Sequence, residues 1–320
     1  MGKRARLIYN PTSGREEMRR RLPDILHRLE QGGLETSTHA TKGEGDAVLA
    51  AQEAVRRGFD VVIAAGGDGT LNEVINGLAE QPHRPQLGIL PLGTTNDFAR
   101  AMGIPRNYEA ACDLILRKNT IPIDIGKVNQ KYFINIAGGG SLTELTYEVP
   151  SRLKTLLGQL AYYVKGLEKL PSLKPIKVNL ETDDGVLQEE IMLFLAANSN
   201  SVGGFEKLAP DASLNDGKLD LILLRKCNLA EFIRIVTAAM RGDHMNDPNI
   251  RYIRTSKINV TSSDYVQLNL DGEYGGTLPC EISVLPSHLE IFADESGQFT
   301  YKTGSRHHAI PPRLLEELEE

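Results

Sequence analysis

The chain has 320 residues, 41% of them apolar, and a formal net charge of -6. That length holds one large or two medium domains with real cores, and the acidic balance removes the global basic field that DNA or RNA binding wants. Three cysteines, Cys112, Cys227 and Cys280, stand far apart without metal or redox spacing, so a reducing compartment, the cytoplasm, is expected. No apolar run approaches the roughly 18 residues of a membrane span. MGKRARLIYN leads into a strand, not a signal peptide, so any membrane contact is expected to be peripheral.

The first third alternates short apolar runs with amphipathic segments, the pattern of a parallel sheet covered by helices. Strands are expected near Ala5–Tyr9, Leu34–Ala40, Val61–Ala65 and Leu87–Leu90, with helices near Glu16–Glu30, Asp46–Arg57, Thr70–Ala79 and Tyr108–Leu116. This is a doubly wound α/β half, in which ligands gather at the carboxyl ends of strands. Three loops follow strands there: NPTSG (Asn10–Gly14), GGDGT (Gly66–Thr70) and PLGTTND (Pro91–Asp97).

GGDGT is the most informative of them. Glycines that end a strand and open a helix present bare N–H groups at the positive end of the helix dipole, where phosphate binds. Asp68 stands where an anion would bind, which makes sense if a cation or a water network lies between them. For each loop alone an ordinary strand-end turn is the plain alternative; their convergence favours a nucleotide phosphate site. Thr41, just past the second strand, either adds a contact to the same crevice or serves as a cap. There is no GxxxxGK[ST], GxGxxG or HExxH, so the usual NTPase, dinucleotide and zinc-protease readings lose their residues.

From about Ile121 the pattern changes to short alternating or continuous apolar runs, and a β-sandwich is expected. The expected organisation is a nucleotide domain over residues 1–124 and a sandwich domain over 125–285. Within 286–320, the run His288–Phe292 is a candidate to return to the first domain. One basic amphipathic segment, Ser151–Lys169, reads as a helix with Lys154, Lys165 and Lys169 on one face. That face is either solvated or meant for an anionic membrane surface. The tail from Ser305 reads as solvated.

Taken together, NPTSG, GGDGTLNEV, PLGTTNDFAR, PIDIGK, GFEKLAPDA with NDGKLDL, and NLDGE resemble the soluble bacterial diacylglycerol kinases, within the diacylglycerol, sphingosine and ceramide lipid kinase family. The resemblance runs from about Leu7 to Phe292 with the motifs in order. NAD kinases and phosphofructokinases share the GGDG element but not the later set. It implies ATP-dependent transfer of the γ-phosphoryl group to a lipid hydroxyl, giving phosphatidic acid when the lipid is diacylglycerol. By position, the implied ATP contacts are Asn10, Pro11, Thr12, Ser13, Gly14, Thr41, Gly66, Gly67, Asp68, Gly69, Thr70, Leu71, Asn72 and Gly93.

The resemblance makes Glu273 the catalytic base, and the chemistry agrees, because an alcohol must lose its proton as the phosphoryl group arrives. A plain Asp-Gly hairpin turn is the alternative. It also places a Mg²⁺ in Asp211–Asp220, held by the Asp216 carboxylate with backbone carbonyls of Ser213 and Lys218; a solvated turn is the alternative there. Asp68, Asp97 and Asp124 are candidates to link that metal through water to a Mg²⁺ on the ATP phosphates. The expected localisation is cytoplasmic and peripheral at the inner membrane surface, and a homodimer is a family-level expectation. Competing readings are a kinase of phosphatidylglycerol or a sphingoid base, an NAD kinase, and a nucleotide-binding module without turnover.

Overall fold

The computed structural model describes residues 2–143, 174–200 and 208–294. The basic segment Ser151–Lys169 and the tail from Ser305 lie outside the described residues. No described helix is long and apolar enough to cross a membrane.

The N-terminal half is a parallel sheet in the order β4 (Gln86–Pro91), β3 (Val61–Gly66), β1 (Lys3–Tyr9), β2 (Leu34–Ala40). Every residue of β3 is buried, as a central strand covered on both faces must be. On one face α1 (Ser13–Gln31) and α5 (Tyr108–Leu116) bury Met18, Ile25, Leu29, Cys112 and Ile115 against Leu7, Ile63 and Leu90. On the other, α2 (Asp46–Arg56) and α3 (Asp68–Leu78) pack closely, because α2 offers Ala47, Ala50, Ala51 and Ala54. The approach is tight: a Cβ on Gly77 would sit 2.5 Å from the Val48 carbonyl oxygen. The short α4 (Asp97–Ala101) follows β4.

Two starts differ from expectation, and both matter for the site. The helix expected from Glu16 begins at Ser13, and the one expected from Thr70 begins at Asp68. Ser13, Gly14, Asp68 and Gly69 therefore belong to first helical turns, where backbone N–H groups lack intrahelical partners.

The second half is antiparallel and rich in strands: β6 (Lys131–Phe133), β7 (Ile136–Gly139), β8 (Ile176–Thr182), β9 (Gly185–Ala197), β10 (Leu219–Arg225), β11 (Ile250–Thr255), β12 (Lys257–Ser262), β13 (Gln267–Leu270) and β14 (Glu273–Thr277). Its core gathers Phe133, Phe194, Leu221, Val260 and Ile282. A helix that sequence reading passed over, α6 (Leu229–Arg241), packs Phe232 and Ile235 on this half. Its signal was present: Asn228 and Glu231 form a capping box, and Gly242 ends the helix in the left-handed region.

The halves are joined by a ribbon of two long strands, β5 (Thr120–Val128) and β15 (Cys280–Phe292), paired antiparallel from Val128–Ile282 to Thr120–Phe292. At its far end Ile291 pairs in parallel with Leu87 of β4. The expected borders at 124/125 and 285/286 thus fall inside these strands, and one hydrogen-bonded sheet runs through both halves.

Candidate active site

The carboxyl ends of β1, β2 and β3 open onto a cleft of about 940 Å³ whose far wall is made by the β5–β6 and β13–β14 hairpins. Its floor is set by local chemistry. The Asn10 side-chain oxygen accepts from the Thr12 N–H at 2.9 Å and the Thr12 hydroxyl at 2.8 Å, an Asx turn that brings the chain into α1. The Thr41 N–H donates to the Tyr9 carbonyl at 2.9 Å, holding the end of β2 beside β1.

Three helix N-termini approach this cleft, but they are not equivalent. The Glu73 carboxylate accepts from the Gly45 and Ala47 N–H groups, each at 3.0 Å, so the start of α2 is already satisfied by the protein. Neither α1 nor α3 has a side-chain cap. In α1 the Ser13 N–H is taken by the Asn10 carbonyl at 3.2 Å, and the remaining first-turn N–H groups of α1 and α3 are the kind of donor that suits an anion.

The glycines divide by role. A Cβ on Gly66 would sit 2.6 Å from the Thr70 hydroxyl, and one on Gly93 would collide with the Gly67 Cα. Gly67 and Gly93 allow two loops to touch, and Gly66 lets its own loop fold onto Thr70. Gly69 is different: beyond its chain neighbours and its own helix backbone, the heavy atom nearest its missing Cβ is the Glu273 Oε1, at 3.8 Å.

Glu273 arrives there from the other half of the molecule. Asp271 (φ 51°) and Gly272 (φ 97°) form a two-residue hairpin turn, with Leu270 paired to Glu273. Positive φ at both central residues is what such a turn needs, which is why the sequence there is Asp-Gly. The turn and the acidic role are therefore compatible, and Glu273 is exposed at the cleft wall. Asp271 is tied down by four donors: the N–H groups of Ile134 (2.7 Å), Asn135 (2.9 Å) and Ile136 (2.9 Å), and the Asn72 amide (3.0 Å). Burial pushes its carboxyl up, against the pull of those donors.

Asp68 lies at the start of α3 with one buried carboxylate oxygen that lacks a hydrogen-bond partner. Burial, and then the charge of Asp97, push its pKa up; the N–H groups of Asn96, Asp97 and Phe98 pull the other way. A buried orphan oxygen beside a second carboxylate fits a hard cation. Farther off, the Asp216 carboxylate accepts from the Lys218 N–H at 3.0 Å and pairs with Arg254. Burial, and also Asp216's charge, raise fully buried Asp124, although it accepts from the Gly217 and Ser287 N–H groups at 2.7 Å each. Each of these oxygens thus already meets a donor, so a cation here would share the Asp216 carboxylate with Arg254. Among the described residues no group of three His, Cys, Asp or Glu forms a metal-holding set, so main-chain carbonyls such as those of Ser213 and Lys218 would have to complete it.

Of the residues singled out from sequence, Asn10, Pro11, Thr12, Thr41, Gly69, Thr70, Asn72 and Glu273 line the cleft. Ser13, Gly14, Gly66, Gly67, Asp68, Leu71 and Gly93 stand behind it in the loops and first turns. Leu71 is buried in the core. Sequence reading missed Lys42, Glu73, Asn76, Lys131, Tyr132 and Tyr274, which also line the cleft. Only Glu73 lay inside a motif already noticed; Lys131 and Tyr274 reach the cleft through hairpins whose register sequence does not show. Burial raises all three thiols, Cys112 and Cys280 to about 12 and Cys227 to about 11, and none is in a disulfide.

Uncapped helix ends facing a carboxylate across a cleft are an arrangement that a phosphotransferase can use. Comparison with known proteins agrees. Residues 4–128 match the diacylglycerol kinase catalytic domain, and residues 144–293 match the YegS C-terminal NAD kinase beta sandwich-like domain. The chain is 61% identical over 290 residues to a diacylglycerol kinase of Bacillus subtilis, covering 90% of this chain and 96% of that one. It is 53% identical over 291 residues to one from Staphylococcus haemolyticus, covering 91% and 88%. A solved diacylglycerol kinase structure from Bacillus anthracis superposes with a TM-score of 0.77 at 28% identity, covering 92% of this chain and 98% of that one. The chain belongs to the diacylglycerol kinase family of lipid kinases.

Proposed function

We propose that this kinase transfers the γ-phosphoryl group of ATP to the free hydroxyl of diacylglycerol, giving phosphatidic acid and ADP. The observation that carries the reading is the Glu273 Oε1 lying 3.8 Å from the Cβ position of Gly69, at the uncapped start of α3. The first turns of α1 and α3 hold phosphate oxygens by N–H donation. Glu273 accepts the proton of the attacking hydroxyl as the new O–P bond forms and the bond to ADP breaks. Lys42 and Lys131 line the same cleft and offset phosphate charge. Mg²⁺, when bound near Asp68 and Asp97, supplies charge neutralisation of the transferring phosphate.

The choice of diacylglycerol rests on the names of the curated relatives. Purified protein with labelled Mg-ATP and a panel of diacylglycerol, phosphatidylglycerol, a sphingoid base and NAD decides it; label in another product and none in phosphatidic acid would remove the substrate assignment. Glu273→Gln keeps the fold and nucleotide affinity but lowers kcat by roughly 10²–10⁴-fold, the span for loss of a general base. Near-normal turnover in that folded variant would remove the base.

A structural Mg²⁺ at the Asp216 loop completes the reading. Added Mg²⁺ then raises the melting temperature of the wild type more than that of Asp216→Ala, as linkage requires; equal shifts would sink the site. The enzyme works at the cytoplasmic face of the inner membrane, with the basic segment Ser151–Lys169 as its contact. A homodimer is the assembly we expect by family, and analytical ultracentrifugation of the purified chain checks it.

A further inference from the structure

Two carboxylates of one hairpin meet one turn of one helix. Asp271 and Glu273 flank Gly272 at the β13–β14 turn, and their partners on α3, Asn72 and Gly69, are three residues apart and so share a helix face. The Asp271 carboxylate is saturated. Its Oδ1 takes the N–H groups of Asn135 and Ile136, and its Oδ2 takes the Ile134 N–H and the Asn72 Nδ2. Three of those donors belong to its own half of the molecule, and the fourth belongs to the phosphate-binding helix. Asn72 is fixed in turn: Asn76 donates to its side-chain oxygen at 3.1 Å and to its carbonyl at 2.9 Å.

We propose that Asp271 is a positioning residue, which through Asn72 sets the height of the Glu273 carboxylate above the start of α3. This rests on Glu273 being the base, as argued above. Asn72 then serves the reaction through Asp271, with its amide donated to the hairpin. The consequence is quantitative: a base displaced by about 1 Å loses on the order of 10²-fold in rate while nucleotide binding, made by other groups, persists.

The experiment is a charge-swap cycle with Asn72→Asp, Asp271→Asn and the double variant, run beside Glu273→Gln. Each is read by kcat, by nucleotide Kd and by thermal melting. Asn72→Asp sets two carboxylates against each other, and Asp271→Asn sets an amide against an amide; each single change is expected to lower kcat by about 10²-fold, with nucleotide Kd within about twofold of wild type for Asp271→Asn, which adds no charge to the cleft. The double variant restores a donor facing an acceptor between positions 72 and 271, while the amide at 271 opposes the Ile134 N–H just as it does in Asp271→Asn, so the comparison with that parent isolates the contact. It is expected to regain at least about tenfold in kcat over Asp271→Asn. A purely structural role would lower melting temperature without this reciprocal recovery of kcat.

Should Asp271→Asn fail to fold, Asn72→Ala removes the helix donor and leaves the three backbone donors of Asp271 in place: a fall in kcat at saturating nucleotide with little change in melting supports the positioning role, and wild-type kcat overturns it. Wild-type kcat in both single variants, with Glu273→Gln inactive, overturns the positioning role and leaves the base intact. A double variant no better than its worse parent also overturns it. An active Glu273→Gln removes the base first, and the positioning role with it.

Discussion

Asp68 shows how one residue can be costly for the fold and needed for the site. Its pKa is raised by burial and by Asp97, so folding favours the protonated form. The associated stability is fully present below the unfolded value of about 4 and is lost as pH rises through the folded value. Above the folded value the charged carboxylate is therefore a burden to the cation-free protein. Asp68→Asn is expected to melt a few degrees above wild type at pH 7 without added cation, with the gap closing as pH falls below about 4, while activity is abolished. Differential scanning calorimetry across that pH range checks the stability arm; a variant that melts lower at pH 7 would contradict it. The sequence marked Asp68 by its place among glycines, but not its pKa. That depends on Asp97, twenty-nine positions on by number and adjacent only once β3 and β4 pair.

At the scale of elements, α3 is the seam between halves as well as a helix we propose to hold phosphate. Its apolar face, with Leu71, Val74, Ile75 and Leu78, is buried in the core. Its other face looks in sequence like a solvated one, yet Asn72 donates to Asp271 and Asn76 mimics a strand against Tyr132. The Asn76 oxygen accepts from the Tyr132 N–H at 3.0 Å, and its amide donates to the Tyr132 carbonyl at 3.0 Å. Just past the helix, Glu80 pairs with Lys127 and accepts from the Tyr132 hydroxyl. Asn76→Ala strips a backbone N–H and C=O of their partners and is expected to destabilise by about 1–3 kcal/mol. Urea unfolding measures this; a change within error would mean that water replaces the amide at no cost. Helical periodicity told which residues face inward, because burial needs a repeating apolar stripe. It said nothing of the polar stripe, since an asparagine facing water and one facing a distant backbone are the same letter.

For the whole molecule, the problem is how an acidic chain meets a lipid. Lys154, Lys165 and Lys169 lie in an expected helix outside the described residues, and each lysine near an anionic leaflet contributes about 1 kcal/mol of attraction that salt screens. Reversing all three to Glu is expected to cut activity on anionic vesicles steeply and remove its salt dependence, with a short-chain soluble acceptor turned over nearly as before. Equal loss on both substrates would assign the lysines to folding or catalysis. No loss on either would leave them as solvated surface. The ribbon of β5 and β15 gives the halves a shared sheet, so the cleft is framed by hydrogen-bonded strands on both sides.

The sequence by itself determined the parallel sheet, the placing of three loops at its carboxyl edge, and the motif set that marks a lipid kinase. These are local: alternation, glycine freedom and strand-to-helix junctions are encoded within a few residues of where they act. Tertiary structure alone decided which helix ends lack a side-chain partner, since Glu73 satisfies α2 from a neighbouring helix. It also decided that Glu273 meets Gly69 and that Asp271 meets Asn72, contacts that span some two hundred residues. Such contacts arise from strand register and from the crossing of β5 and β15 between halves, and no pattern along the chain carries that information.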